Sequence, residues 1–453
     1  MTSSMARAAA VAVVAIFLLP GLAAPAATGL LVTVGDVTAT SVVVWTRGAA
    51  EGDVAIEYGP AGATTRARAT LTVRAGDDLT GKLRLDGLVP ATRYGYRVQA
   101  QAESVGGEFV TAPSPETAAP VTFLWSGDLG GQGFCRRVDT GYPIFDTMAR
   151  LHPEFFLFLG DTIYADSPCD QPGVVPGGNF VARTLSGYRD KHRYNRADDA
   201  VQRFSRATSV YAIWDDHEVR NDFSGPTEPL MPAGRRAFLE YWPIQPPPEE
   251  PGRLYRSVRW GALLELFILD TRQYRSPNAQ PDGPSKTMLG KAQRRWLIEG
   301  VASSAAVWKV VATSVPLSVP TGGTAHDSWS NASVFGLPEE GGTGFVVERD
   351  AILGALHARG VKNLVFVAAD VHHAEVVRHA PFSGWTFHEM IAGPLAARHG
   401  RPRPLDEGLN PRTLYARSGV NNFGAITIDT AGLTVRIVDE DGAVLFTYTI
   451  PVR

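Results

Sequence analysis

Several apolar runs in this chain end in a carboxylate or an imidazole. Val121-Thr122-Phe123-Leu124-Trp125 runs into Ser126-Gly127-Asp128, and Phe155 to Leu159 ends in Gly160-Asp161-Thr162-Ile163-Tyr164. Val210 to Trp214 ends in Asp215-Asp216-His217, Leu263 to Leu269 ends in Asp270, and Leu364 to Val367 leads into Asp370-Val371-His372-His373. One Asp after a strand is a common turn residue. Several such ends together offer oxygen and imidazole donors that suit hard or borderline cations. Two cations held close by a bridging carboxylate can activate water at neutral pH and neutralise charge on phosphoryl oxygens.

The elements that must position these residues follow from the same runs. Continuous apolar stretches separated by helical ones imply strands buried on both faces, and such sheets gather chemistry at their C-terminal strand ends. A helical stretch is expected near Tyr142 to Leu151 and another buried strand at Val307 to Ala312. Upstream, residues 29–113 read as a small all-β sandwich. Val54 to Tyr58 alternates and stops at Gly59-Pro60, and Leu88 to Val98 turns into a further strand. Leu88-x-Pro90-x-Thr92-x-Tyr94-x-Tyr96 resembles a fibronectin type III domain, with Tyr94 or Tyr96 as its corner tyrosine. Nothing in that segment looks chemical. Residues 111–115 read as a linker, and Gly424 to Val452 returns to β alternation that closes a sheet edge.

With 43 Lys and Arg against 46 Asp and Glu, the net charge is −3, so there is no basic stripe and nucleic acid is not an expected partner. Arg7 precedes an apolar run from Ala8 to Leu19, broken by Pro20-Gly21, with Ala24-Pro25-Ala26 beyond. This reads as a Sec-type secretory signal peptide over residues 1–26; the alternative, a membrane anchor, meets a run short for a span. A secreted, extracytoplasmic protein is expected. Export would permit a disulfide between Cys135 and Cys169; two free or metal-adjacent thiols are the alternative.

The ordered motifs around Asp128, Asp161 with Tyr164, Asp216-His217-Glu218 and Asp370-Val371-His372 resemble the calcineurin-like metallophosphoesterase superfamily. The variant is most similar to the PhoD-like alkaline phosphatases and phosphodiesterases. Leu269 to Arg275, Lys291 to Leu297, Asp327-Ser328-Trp329 and Glu348-Arg349-Asp350 extend the likeness over nearly all of residues 30–450. The resemblance implies an α/β fold: a two-sheet β-sandwich of metallophosphoesterase type flanked by helices, over residues 120–453, preceded by the small fibronectin- or Ig-like domain.

It also implies roles. Asp128, Asp161, Tyr164 and His372 would bind one metal, expected to be Fe(3+), to which a tyrosinate is suited. Asp161 would bridge to a second site completed by Asp216 and Asp370, whose carboxylates favour one or two Ca(2+) over zinc. His217 would assist the leaving group; its alternative is a core His bonded to Asp215. Arg272 would hold the substrate phosphate through a bidentate fork; a buried salt bridge, as with Asp270, is its alternative. Asn221 is a candidate substrate donor or a solvated position, Tyr274 lines the pocket or packs, and His373 orients a loop. Val310 to Pro316 offers only hydroxyls where purple-acid-phosphatase relatives carry a further His. Ser330 to Thr343 looks like an insertion, a candidate lid.

The implied activity is hydrolysis of phosphate mono- and diesters. The alternatives are a phospholipase D-type diesterase cutting phospholipid headgroups and a non-catalytic, metal-bound cell-surface binding protein. Oligomeric state is not legible in the sequence.

Overall fold

The computed structural model describes residues 29–453 except Thr324, Val334 and Pro338; the expected signal segment lies outside the described residues. The first seven strands are β1 (Leu31–Gly35), β2 (Ser41–Arg47), β3 (Gly52–Pro60), β4 (Ala67–Val73), β5 (Thr80–Asp86), β6 (Arg93–Ala100) and β7 (Glu103–Val110). They form the expected all-β unit, with one four-stranded sheet ordered β4-β3-β6-β7. Tyr94 is the corner tyrosine, its hydroxyl accepting from the Val89 amide at 2.9 Å. Tyr96 instead donates to the Arg206 carbonyl, and so ties the unit to the last turn of the helix Asp199–Ala207 in the larger part of the molecule.

The unit is not a free-standing sandwich. Its other three strands belong to a nine-stranded sheet ordered β20-β19-β18-β8-β9-β10-β1-β2-β5. The added strands are β8 (Val121–Ser126), β9 (Phe155–Leu159), β10 (Ser209–Ile213), β18 (Asn422–Ile428), β19 (Gly432–Asp439) and β20 (Val444–Pro451). Parallel pairing of Gly35 with Val210 makes the join. A Cβ at Gly35 would lie 2.1 Å from the Val210 carbonyl oxygen, so only glycine allows that approach. The expected linker is likewise buried at Thr111, Ala112 and Pro113. The sequence pattern finds the strands but not the sheet they share, because pairing between positions as distant in the chain as Gly35 and Val210 leaves no local signal.

The second large sheet is ordered β11-β12-β13-β14-β16-β15-β17. Its strands are β11 (Arg256–Trp260), β12 (Leu264–Ile268), β13 (Trp308–Ala312), β14 (Leu364–Ala368), β15 (Ala374–Phe382), β16 (Trp385–Ile391) and β17 (Pro411–Arg417). β8, β9 and β10 run parallel in one sheet, and β12, β13 and β14 in the other. All five residues of β9 and of β14 are buried, as the unbroken apolar runs require. The sheets face each other through one core: the Phe155 ring lies 4.8 Å from Phe123 beside it and 4.8 Å from Trp260 across it. Burying one such ring contributes about 1.5–3 kcal/mol. Helices α1 (Ile144–Ala149), α2 (Leu185–Arg196), α3 (Asp199–Ala207), α4 (Met231–Tyr241), α5 (Gly290–Ser303) and α6 (Val346–Ala358) flank the sheets. Thr184 and Asp198 cap α2 and α3 by accepting from the amides of Gly187 and of Ala200 and Val201 in their first turns.

Cys135 and Cys169 form a disulfide, with Cα atoms 5.8 Å apart. No helix among the described residues is long and apolar enough to cross a membrane. The segment 330–343 is not a lid in this conformation: none of its described residues lines the acidic cleft at the strand ends.

Candidate metal centre

The loops after β8, β9, β10 and β14 converge at the C-terminal ends of these strands, where both sheets meet. Asp128, Asp161, Asp370 and His372 all take left-handed backbone, with φ of 66°, 50°, 68° and 57°. Such a turn costs an ordinary side chain about 1 kcal/mol but reverses the chain at once, so the carboxylate stands at the strand tip. Gly160 makes the same turn at φ 98°, where a Cβ would meet that of Asp215 at 2.4 Å. Glu218 staples two of the loops together. Its carboxylate accepts from the amides of Asp161 (3.2 Å), Thr162 (2.7 Å) and Asp215 (2.9 Å).

Donor atoms of Asp128, Asp161 and His372 lie within 4.8 Å of one another. So do those of Asp215, Asp216 and Asp370, while Asp161 also groups with Asp216 and His217. Asp161 therefore stands between two donor sets. Tyr164 joins the first, its hydroxyl 2.9 Å from His372 Nε2. His372 Nδ1 sits 2.6 Å from the Arg398 carbonyl oxygen, which fixes Nδ1 as the protonated nitrogen and leaves Nε2 a lone pair.

Asp128 Oδ2, Asp216 Oδ1 and Asp370 Oδ2 are buried and accept no hydrogen bond among the described residues. Burial first, and then the neighbouring carboxylates, push Asp128, Asp161 and Asp370 well above the ordinary carboxyl range. The Tyr164 phenol is raised for the same reasons, and burial pushes His372 down to about 4. Like charges packed with unpartnered oxygens are costly unless cations answer them. The residues fit a pair of cations in an oxygen-rich setting. The loop after β13 adds nothing to it, since Thr313 donates to the Val315 carbonyl oxygen and Ser314 bonds Thr271.

The cleft above this floor has a volume of about 210 Å³, with Asp161, Asp216, His217, Asn221, Asp370 and His372 among its lining residues. His217 bonds Asp166 rather than Asp215, with Nδ1 2.6 Å from the Asp166 carboxylate. Burial alone would lower its pKa, but the carboxylates of Asp216 and Asp166 outweigh burial and raise it to about 9. Asn221 lines the cleft, and its amide donates to the other Asp166 oxygen at 2.8 Å. His373 bonds Glu375 and the Val371 carbonyl, and so orients its loop.

Two expectations need correction. The fork that Arg272 is expected to offer a phosphate is filled by Asp327, with bonds of 2.8 and 2.7 Å, and its Nε donates to Asp215. The side chain is wholly buried, and its ion-pair partners are Asp215, Asp327 and, at 3.8 Å, Asp216, not Asp270. Tyr274 does not line the cleft: its ring packs edge-on against Tyr255, and its hydroxyl reaches Glu250 at 3.3 Å. Sequence reasoning misses Asp166, Asp222, Arg398 and Arg403, yet the first holds His217 and the others line the cleft. None ends an apolar run, so periodicity carries no sign of them.

Comparison with known proteins agrees with this geometry. Residues 123–437 match the family described as PhoD-like phosphatase, and residues 23–113 match the PhoD-like phosphatase N-terminal domain. Over 325 residues the chain is 29% identical to alkaline phosphatase D of Bacillus subtilis, covering 63% of this chain and 52% of that protein. It thus spans about half the length of that curated relative. Among solved structures, that of PhoD superposes with a TM-score of 0.77 at 21% identity, covering 96% of this chain and 94% of the other. A purple acid phosphatase from yellow lupin (Lupinus luteus) seeds superposes with a TM-score of 0.65 at 13% identity, covering 94% and 74%. These two likenesses show the fold: a mixed α/β sandwich preceded by an all-β unit. With the family match spanning more than half of its length, the chain belongs to the PhoD-like phosphatase family.

Proposed function

We propose that this protein hydrolyses phosphate mono- and diesters outside the cytoplasm, using two metal ions held between Asp128 and Asp370. The observation that carries the reading is the set of buried, unpartnered oxygens of Asp128, Asp216 and Asp370 around the shared Asp161. Asp128, Asp161, Tyr164 and His372 would hold iron(III), and Asp161, Asp216 and Asp370 would hold calcium. When bound, such ions supply an activated water and positive charge at the phosphoryl oxygens.

The chain's own residues do the rest. His217 faces the cleft, where Asp166 holds its ring, and donates to the departing oxygen. Asp166 fixes its ring through Nδ1, so the other nitrogen is the one presented. Glu218 keeps the loops that carry Asp161 and Asp216 at fixed separation. Arg272 pairs with Asp215 and lies 3.8 Å from Asp216 Oδ1, so it offsets charge on both carboxylates while leaving that oxygen of Asp216 without a hydrogen bond.

Replacing Asp161 with Asn is the test. Turnover of para-nitrophenyl phosphate is expected to fall at least a thousandfold, with iron or calcium lost. Near-normal turnover at full metal content would sink the scheme.

A phospholipid diesterase is the second reading. It is favoured by Phe335 and Leu337, which project from the 330–343 segment with 75% and 53% of their surface exposed. Rates on phosphatidylcholine against the bis-para-nitrophenyl ester separate the two readings. Absence of hydrolysis of any of these esters by the metal-loaded protein points instead to a binding protein.

A further inference from the structure

The correction at Arg272 leaves the substrate's charge without its expected partner. The ligand floor does not supply one. Its anionic donors are Asp128, Asp161, Tyr164 as phenolate, Asp216 and Asp370. A trivalent and a divalent ion neutralise these five charges and leave almost no surplus. A floor of that kind binds phosphoryl oxygens by coordination but attracts them weakly from a distance. The remaining cleft carboxylate, Asp222, groups with Asp216 and Asp327 and supplies no positive charge.

Among the described residues, the only guanidiniums lining the cleft are those of Arg398 and Arg403, and neither pairs with a carboxylate. Arg403 donates one Nη1 bond, at 2.8 Å, to the Pro320 carbonyl oxygen, which anchors it beside the cleft residue Thr321. Their loop is sewn to the metal floor. The Arg398 carbonyl oxygen takes the His372 Nδ1 proton, and the Gly400 amide donates to the His372 carbonyl oxygen at 2.7 Å. A Cβ at Gly400 would lie 2.0 Å from the Val371 carbonyl oxygen, so this approach is open to glycine alone. His399 bonds Asn421 at 3.0 Å, and Ser418 donates to the Gly400 carbonyl oxygen at 2.6 Å. Two cations are thus carried on a braced loop beside the ligand His372.

We propose that Arg398 and Arg403 form the anion-binding rim of this site and select substrates by the charge on the phosphoryl group. The dianion of a phosphomonoester gains more from the pair than the monoanion of a diester, because attraction scales with the product of the charges. The substrate arm rests on the phosphoesterase reading; the binding arm does not.

The test uses metal-loaded full-length protein, inorganic phosphate as the calorimetric probe, and the variants R398A, R403A and R398A/R403A. Both side chains stand at the surface, and the Arg398 contact with His372 is made by the backbone, so metal content is expected to be unchanged. Each single substitution is expected to weaken phosphate binding about tenfold, as loss of one charge-assisted contact does. The double variant is expected to lose the salt dependence of that binding. The KM for para-nitrophenyl phosphate is expected to rise more than that for the bis ester, with Lys at either position restoring part of the loss. Phosphate binding by the double variant within twofold of the wild type, at equal metal content, overturns the proposal. Equal rises in KM for the two esters overturn the charge selection. Should the wild type hydrolyse neither ester, the enzymatic reading fails while calorimetry still decides the rim.

Discussion

Two buried acid clusters lie one residue apart in this molecule, and they solve the same electrostatic problem in opposite ways. On one side of the Asp215–Asp216 peptide is a knot that Arg272 and Arg275 form with Asp215 and Asp327. On the other is the floor of Asp128, Asp161, Asp216 and Asp370, which Arg272 approaches at Asp216 alone, at 3.8 Å. In the knot both acids meet an arginine, and Asp327 also accepts from Asn278 at 2.7 Å, although Asp215 Oδ2 is left without a hydrogen bond and burial raises the Asp215 carboxyl to about 6. Although burial pushes Asp327 up, the two guanidiniums outweigh it and hold its carboxyl below the ordinary range. In the floor, burial and repulsion act together on Asp128, Asp161 and Asp370, and all three carboxyls are raised. Burial of acids is therefore not what marks a site. A cluster that closes its own charge is structural, and one that leaves charge open is built for a ligand.

The knot is where the largest effect is expected. Asp327→Asn removes a carboxylate from two buried guanidiniums and should lower unfolding stability by about 3–5 kcal/mol, read by denaturant titration. The sign of its pH dependence follows from the lowered carboxyl. Its stabilisation is present above the unfolded value of about 4 and is lost only as pH falls through the folded one, so the gap between wild type and variant should stay flat from neutrality to about pH 4. A cost under about 1 kcal/mol would mean that the arginines find another partner, and the contrast with the floor would collapse.

Between the clusters stands His217, whose ring belongs to the cleft and whose Nδ1 belongs to Asp166. Asp166→Asn keeps the shape but can no longer fix the ring as a carboxylate does. A fall in kcat of about 10–100-fold is expected, as when such orienting partners are lost. The fall should be largest for alkyl phosphates and small for para-nitrophenyl phosphate, whose leaving group needs little protonation. An equal loss on both would make Asp166 a packing residue and leave His217 without a proton-donating role.

The contrast also explains which residues are legible in the sequence. Asp128, Asp161, Asp216, Asp370 and His372 are legible because each ends a buried apolar run, and the fold forces those ends together. Arg272 is misread because Leu269-Asp270-Thr271-Arg272 ends such a run too, and pattern cannot distinguish an arginine aimed at solvent from one aimed at Asp327. Asp166, Arg398 and Arg403 stand on irregular loops positioned by long-range contacts, such as that from Arg398 to His372 across 26 residues. The strands of the N-terminal unit are legible from alternation. The fusion of β1 to β10 is not, because it rests on one close approach at Gly35.

The smallest expected effect is the most discriminating. If the floor is open charge awaiting cations, removing one of its carboxylates should help the metal-free protein. In fully chelated protein, Asp370→Asn takes away a buried acid raised by burial and by Asp215 and Asp216, and should add about 1 kcal/mol of stability, a rise of a few degrees or less in melting temperature. In metal-loaded protein the sign should reverse, because the stabilisation that a bound ion confers depends on its affinity and Asn binds it less tightly. A knot residue shows no such reversal, since its partners are arginines that chelation leaves in place. Asp370→Asn destabilising the chelated protein as much as Asp327→Asn would show that both clusters are structural, and the unpartnered oxygens of the floor would then need another explanation.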